Sequence, residues 1–346
     1  MKLSIVGHFA VGQDFNDGQT VKTRNLYNKL VEIYGQDEVE IVETYNYKKN
    51  PLKLLKNCIA AIKNSDNIVI LPAKNGVKVF VPLFVRLNKK YNKNLIYAVV
   101  GGWLPDVLKD NTKLLNSACK LDKVLVETEG MKKRLNDLGM NNVDILLNFK
   151  NISVLSEKEL PNLSVDTFKV CTFSRVIKEK GIENAINAVS MVNKKLGKKA
   201  FKLDIFGPVG NEYKEEFENV LNSCNKEWVE YKGVIPSSES VGILKEYNLL
   251  LFPTYYFGEG LAGTVIDAYS AGVPVIASDW KYNSEIVKHK ITGTIFETKN
   301  DEQFSDILEE YYLGKVDIQN IRKNCLKEAK KYTPDVAILG ITKYIK

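Results

Sequence analysis

The sequence predicts an α/β protein built from two Rossmann-like domains, each with a parallel sheet, and three observations carry that expectation. Short apolar, β-branched runs alternate with helix-period segments along nearly the whole chain, as parallel strands covered by helices on both faces require. The alternation lapses once, over Asn148–Thr167, where polar residues accumulate, and then resumes. The 346 residues suffice for two cores, and 45% apolar with 26% charged residues is ordinary for a globular chain. The expected domains are residues 1–160 and 161–331, with 332–346 as a closing helix.

In chain order, strands are expected at Leu3–Val6, Val39–Glu43, Ile68–Leu71, Leu95–Val100, Lys123–Glu127 and Asp144–Leu147. The first helix spans Thr20–Tyr34, with Tyr27, Leu30, Val31 and Tyr34 at helical spacing. The loop before it, GQDFNDGQT, carries Gly12 and Gly18 at the carboxyl end of the first strand, the ligand-facing edge of such a sheet or simply a flexible turn. Val77–Lys93 is apolar, contains Pro82 and ends in a basic cluster, which suits a helix buried against the sheet or one docked on an anionic bilayer. Beyond the linker come strand Lys169–Ser174, helix Ile182–Leu196, strand Phe201–Phe206, helix Glu212–Ser223, strand Val229–Lys232 and helix Ser238–Glu246. Strand Asn248–Phe252, a short helix near Thr264–Ala271 and strand Val273–Ala277 follow, and Asp317–Lys346 reads as helical.

Composition narrows the chemistry. The net charge of +7 asks for an acidic partner, but the lysines are scattered and no nucleic-acid motif is present, which points away from nucleic acid. The five cysteines are far apart without C-x-x-C pairing, so free thiols are expected rather than disulfides or zinc. Only two histidines occur, His8 and His289, in unrelated places, which disfavours a histidine dyad or metal site. No apolar run reaches membrane-span length and no signal segment opens the chain, so a cytoplasmic location is expected, with contact at the inner membrane face left open.

Two stretches concentrate the candidate chemistry. In PTYYFGEGLAGT, Gly258, Gly260 and Gly263 let the backbone turn and approach a ligand between a strand and a helix N-terminus, where N–H groups favour phosphate. Glu259 sits in the loop and Asp267 one turn into the helix, too spread for an acid/base dyad but matched to hydroxyls along a nucleotide-sized ligand; dipole complement and a solvated helix face are the plainer roles. GEGLAG also spells G-x-G-x-x-G with Asp279 about twenty residues on, the form of a dinucleotide fingerprint, although a five-residue spacer replaces the tight turn. In SRVIKEKG, Arg175 and Lys180 follow the first strand of the second series, where they could hold a diphosphate or form a solvated basic loop.

With these residues the sequence resembles a retaining glycosyltransferase of family 4, of GT-B architecture, two Rossmann-like parallel-sheet domains facing across a cleft. The resembling pieces run through most of the chain: DGQTVKTRNLYNKL, VETEGMKKRLNDLGM with ILLNF, FSRVIKEKGIENAINAV, VEYKGVIP, LLLFPTYYFGEGLAGTVIDAYSAGVPVIASDW, NSEIV and TGTIF. The resemblance implies that Arg175 and Lys180 clamp the donor diphosphate, Glu259 contacts donor-sugar hydroxyls and Asp267 the ribose. It implies that Leu261, Ala262, Gly263 and Thr264 present backbone N–H groups to phosphate, that Gly233 and Val234 border the base, and that Gly18 closes over the donor. Gly101, Gly102 and Trp103 would lie on the acceptor side, and residues 332–346 would pack on the first domain.

The implied reaction is transfer from a UDP- or GDP-linked sugar to a glycan or polyprenyl-linked acceptor in bacterial surface-polysaccharide synthesis, with no cofactor and no metal. Two departures stand out: the family's E-x7-E pair ends here in Asp267, and many relatives carry a histidine where this chain has Gly101, Gly102 and Trp103. An NAD(P)-dependent oxidoreductase using GEGLAG and a non-catalytic nucleotide-sugar binder are the competing readings.

Overall fold

A computed structural model of the chain describes residues 1–13 and 17–346, which divide into two compact units. Unit 1 comprises Met1–Asn151 with Tyr332–Lys346; unit 2 is Ile152–Lys331. Both are α/β with a six-stranded, all-parallel sheet.

In unit 1 the strands β1 (Leu3–Gly7), β2 (Val39–Glu43), β3 (Asn67–Ile70), β4 (Asn94–Ala98), β5 (Lys123–Val126) and β6 (Val143–Ile145) lie in the order 2-1-3-4-5-6. Every residue of β1, β3 and β4 is buried, which is why these strands read as unbroken apolar runs rather than alternating ones. The helix Gly18–Tyr34 starts at Asp17, whose carboxylate accepts the amides of Gln19 and Thr20, and it drives Leu26 and Leu30 into a core with Leu3, Ile5, Val69 and Ile96. Gly7 is required beneath it, since a Cβ there would lie 2.7 Å from Thr23 Cγ2. The helix Val77–Tyr91 buries Val77, Phe80, Val81 and Phe84 and turns Lys78, Arg86, Lys89 and Lys90 to solvent.

A helix absent from the sequence expectations spans Pro51–Asn64, capped by Asn50. It buries only Cys58, Ala61 and Ile62, and burial pushes the Cys58 thiol up to about 12. The C-terminal stretch expected as helix is helical in pieces, Ile318–Ala329, Pro334–Ala337 and Leu339–Thr342; Pro334 cannot continue a helix from the preceding turn. Its last residues are tied into unit 1. Asn67 donates to the Lys346 carbonyl at 2.7 Å and accepts from its amide at 2.9 Å, Asn94 donates to the Tyr344 carbonyl at 2.7 Å, and Asp144 takes hydrogen bonds from Lys343 and Tyr344.

In unit 2 the strands β7 (Phe168–Phe173), β8 (Phe201–Phe206), β9 (Val229–Gly233), β10 (Leu249–Phe252), β11 (Val275–Ser278) and β12 (Gly293–Phe296) lie in the order 12-11-10-7-8-9. The polar connection joins this unit from Ile152 onward rather than from residue 161. The cause is local: the Leu155 amide bonds the Ser270 carbonyl, and the buried Arg322 guanidinium donates to the carbonyls of Gly272 and Pro161. In each sheet the strand order reverses once, between β1 and β3 in unit 1 and between β7 and β10 in unit 2. Ligands of open parallel sheets bind at the carboxyl ends of strands beside such a reversal.

Candidate functional site

The reversal in unit 2 brings the two singled-out stretches together. Leu249 and Leu250 of β10 pair with Val170 and Cys171 of β7, so the segments that leave these strands emerge side by side. Their approach is as close as backbones allow. Gly181 has φ of +69°, and a Cβ on it would stand 2.2 Å from the Pro253 carbonyl oxygen; the Tyr255 amide bonds the Glu179 carbonyl at 2.7 Å. On the other side of β7, Gly207 has φ of +130° and would place a Cβ 1.8 Å from the Ser174 carbonyl oxygen.

This packing joins residues 79 positions apart: Lys180 Nζ lies 2.5 Å from Glu259 Oε2, with only 10% and 7% of the two side chains exposed. The Thr254 hydroxyl donates to the same carboxylate oxygen at 2.7 Å, which fixes the Glu259 rotamer. Tyr256 gathers the cations. Its ring centroid is 5.0 Å from Lys180 Nζ and 5.3 Å from the Arg175 guanidinium carbon, and its carbonyl accepts the Trp280 indole N–H at 2.8 Å. Arg175 is exposed, whereas Lys178 turns away to pair with Glu216 at the surface. Thr254, Tyr256 and Trp280 escaped the sequence reading, where PTYYF registered only as a spacer.

Ten residues, Pro253 to Ala262, separate β10 from the helix Gly263–Ser270. A dinucleotide fingerprint needs its glycines directly after the strand, so GEGLAG does not build that turn. Ala262 gives the helix no side-chain cap, and the Thr264 hydroxyl oxygen in its first turn is buried with no hydrogen-bond partner among the described residues. Buried polar atoms are rarely left so. Leu261 is buried beneath this turn, and Asp267 is 2% exposed. Asp267 is thus no solvated helix-face acid. At the other edge of the sheet, Gly233 has φ of +78° and accepts from the Gly207 amide at 2.8 Å, while Val234 is exposed.

The remaining site residues belong to unit 1. Gly18 opens the helix capped by Asp17; residues 14–16 of its loop lie outside the described residues. The rest of that loop is pinned by Arg24, which donates to the carbonyls of Phe9, Ala10 and Gln13 at 2.8, 2.9 and 3.0 Å. Gly101 has φ of +82° and is half-buried, and Gly102 is buried. Trp103 is also buried, its indole N–H bonded to the Val100 carbonyl at 2.7 Å, so it holds the turn while Gly101 offers the accessible backbone. Beneath this edge Lys22 Nζ meets Glu127 Oε1 at 2.5 Å and the Val99 carbonyl at 2.7 Å, both side chains 3% exposed.

Comparisons with known proteins bear on the family and the fold. The family model described as Glycosyl transferases group 1 matches residues 156–332. Among curated proteins, the chain is similar to the UDP-N-acetylglucosamine–peptide N-acetylglucosaminyltransferase GtfA subunit of Streptococcus agalactiae, at 24% identity over 91% of this chain and 63% of that protein. It is also similar to the uncharacterized glycosyltransferase MJ1069 of Methanocaldococcus jannaschii, at 23% identity over 60% of this chain and 55% of that one. The chain thus spans little more than half the length of these relatives. Among solved structures, Anabaena Alr3699/HepE in complex with UDP superposes with a TM-score of 0.76 at 15% identity, covering 99% of both chains. The lipopolysaccharide outer core galactosyltransferase WaaB gives 0.74 at 15%, covering 100% of this chain and 99% of that one. The fold is that of GT-B glycosyltransferases.

Proposed function

Since the chain belongs to the glycosyl transferases group 1 family, we propose that it transfers a sugar, with retention and without a divalent metal, from a UDP- or GDP-linked donor to a glycan or lipid-linked glycan. The observation that carries this reading is the convergence of Lys180, Glu259 and Arg175 around Tyr256 at the sheet reversal of unit 2, beside an uncapped helix start.

The residues divide the work by chemistry. The Lys180 ammonium has three N–H donors and gives one to Glu259, leaving donors for diphosphate oxygens; Arg175 adds a planar fork that matches a phosphate. Both cations, the amides from Leu261 to Thr264 and the Thr264 hydroxyl stabilise the charge that develops on the diphosphate as the sugar–oxygen bond breaks. Glu259, held by Lys180 and Thr254, accepts hydroxyls of the donor sugar, Asp267 accepts ribose hydroxyls, and Gly233 and Val234 border the base. A phosphate oxygen of the leaving diphosphate takes the acceptor proton on the same face, which retains the anomeric configuration. Backbone around Gly101 lies on the acceptor side in unit 1.

The proposed setting is surface-polysaccharide synthesis at an anionic membrane face. Among the described residues no helix is long and apolar enough to cross a membrane. Peripheral contact is supported by the helix Pro51–Asn64, where exposed Leu52, Leu55 and Ile59 stand among Lys53, Lys56 and Lys63, and by the basic end of Val77–Tyr91. The experiment is a thermal-stability panel of UDP-, GDP- and ADP-sugars and NAD(H) in EDTA, followed by NMR of the anomer first released from the stabilising donor. Stabilisation by one nucleotide-sugar family and release of the donor's own anomer are expected. Stabilisation by NAD(H) alone, or release of the opposite anomer, would overturn the reading.

A further inference from the structure

The helix Gly263–Ser270 is open at one end and clamped at the other. Its amino end has no side-chain cap. Its carboxyl end closes in a tight reversal: Gly272 takes φ of +65°, and the amides of Gly272 and Val273 bond the carbonyls of Tyr269 and Ala268 at 3.0 and 2.8 Å. The carbonyls of Ser270 and Gly272 are taken by groups outside the helix. That of Ser270 accepts the Leu155 amide at 2.9 Å, and that of Gly272 accepts Arg322 Nε at 3.2 Å. Leu160 packs close against the reversal, since a Cβ on Gly272 would lie 2.7 Å from Leu160 Cδ2.

Arg322 carries a charge where packing alone needs none. Its side chain is 2% exposed, and no carboxylate pairs with it among the described residues. Nη1 donates to the Pro161 carbonyl at 3.0 Å, and Nη2 has no partner among the described residues. Burying a guanidinium without a counter-ion is costly, and burial lowers its pKa here. Backbone carbonyls offset that cost: the carboxyl end of a helix is partially negative, and a cation set against it is stabilised. An apolar side chain would fill the same space without the desolvation. The charge is therefore directed at the helix. The other end of that helix is where the amides of Leu261 to Thr264 meet the diphosphate in the proposed reaction. Its eight residues span about 12 Å, so displacement at the carboxyl end reaches those amides and Asp267 through a rigid rod.

We propose that Arg322 is a positioning residue for the donor: by holding the carboxyl end of the helix Gly263–Ser270 against residues 155–161, it fixes how the amino-end amides and Asp267 meet the nucleoside diphosphate. The proposal rests on the glycosyltransferase reading of that site. Coupling between two sites is reciprocal. A clamp that strengthens diphosphate binding is itself strengthened by the diphosphate, and the Leu155 amide reports it.

The test titrates UDP and GDP calorimetrically into the native protein, Arg322→Gln, Arg322→Lys and Asn193→Ala, at a temperature where each is folded by circular dichroism. Asn193 controls for lost stability: it is buried in the helix Ile182–Leu196, bonds the Phe201 amide and carbonyl at 2.8 and 2.9 Å, and makes neither bond of the clamp. The diphosphate that binds the native protein should bind Arg322→Gln about tenfold more weakly and Asn193→Ala equally well. Arg322→Lys, which keeps a cation at the helix end, should bind within about threefold of native. Amide hydrogen exchange on the native protein is the second reading. The diphosphate should slow the Leu155 amide about tenfold and leave the Trp228 amide, bonded to the Asn225 carbonyl at 3.0 Å outside the clamp, unchanged. Native affinity in Arg322→Gln, or equal weakening in Asn193→Ala, overturns the proposal. If Arg322→Gln does not fold, hydrogen exchange decides, and an unchanged Leu155 rate overturns it. Binding of neither diphosphate by the native protein brings down the glycosyltransferase reading, and this assignment with it.

Discussion

Glu259→Gln removes one charge of the Lys180–Glu259 pair while keeping side-chain shape and the Thr254 hydrogen bond. The pair is 2.5 Å apart with side chains 10% and 7% exposed, so the remaining ammonium is left largely desolvated. Stranding one partner of a buried pair costs about 3–5 kcal/mol. The rings of Tyr256 and Phe252, 5.0 and 5.7 Å from Lys180 Nζ, return about 1 kcal/mol. The expected destabilisation is therefore about 2–4 kcal/mol, or roughly 4–16 °C in Tm for a domain of this size. Lys180→Met strands the carboxylate and falls in the same range. The double variant removes both charges and should recover to within about 1 kcal/mol of the native protein. Activity should not follow. Under the proposed reaction all three variants lose turnover by about 10²–10³, since the cation, the sugar contact or both are gone. Calorimetric unfolding and donor hydrolysis measure the two quantities on the same samples. Additive single effects, with coupling below about 0.5 kcal/mol, would refute the reasoning.

Other perturbations test the scaffold. Gly181→Ala forces a Cβ to 2.2 Å from the Pro253 carbonyl oxygen at φ of +69°, and should cost more than about 2 kcal/mol and lower donor affinity, read by unfolding and UDP titration. Lys22→Met removes the ammonium that pairs with Glu127 and bonds the Val99 carbonyl, where both side chains are 3% exposed, and should destabilise unit 1 by about 3 kcal/mol in urea unfolding. Burial raises the Asp144 carboxyl, but hydrogen bonds from Lys343, Tyr344 and Lys132 outweigh it and hold the group below the usual carboxylate range. A carboxyl lowered in the folded state contributes stability above its unfolded value of 3.8, and that contribution is lost as pH falls through the folded value. Asp144→Asn should therefore cost about 1–2 kcal/mol at pH 7, and its gap to the native protein should close below about pH 4 in a pH series of unfolding curves.

Central strands were legible because a parallel strand buried on both faces writes itself as a short apolar run, as Leu3–Gly7 does, buried throughout; the edge strand Val39–Glu43 is only partly buried yet has the expected bounds. Arg175, Lys180 and Glu259 were legible as chemistry, but their meeting depends on β10 lying beside β7, a non-sequential pairing that no local pattern encodes. The Lys22–Glu127 pair was invisible for the same reason, since a lysine in a helix reads as solvated until its partner across 105 residues is known. Two misses were local. Asn50-Pro51 is a sound helix start, but the helix behind it exposes most of its apolar residues and so lacks a clean buried stripe. Thr333-Pro334 marks a break that the apolar content of Asp317–Lys346 hid.

In the proposed function, the reversal of the unit 2 sheet binds a nucleoside diphosphate through Arg175 and Lys180. Calorimetric titration of UDP and GDP in EDTA, into the native protein and into Arg175→Ala, tests it most directly. One diphosphate should bind the native protein and weaken about tenfold or more on losing the guanidinium, with the melting temperature unchanged because Arg175 is exposed. Equal affinity in both proteins, or no binding of either diphosphate, would contradict it.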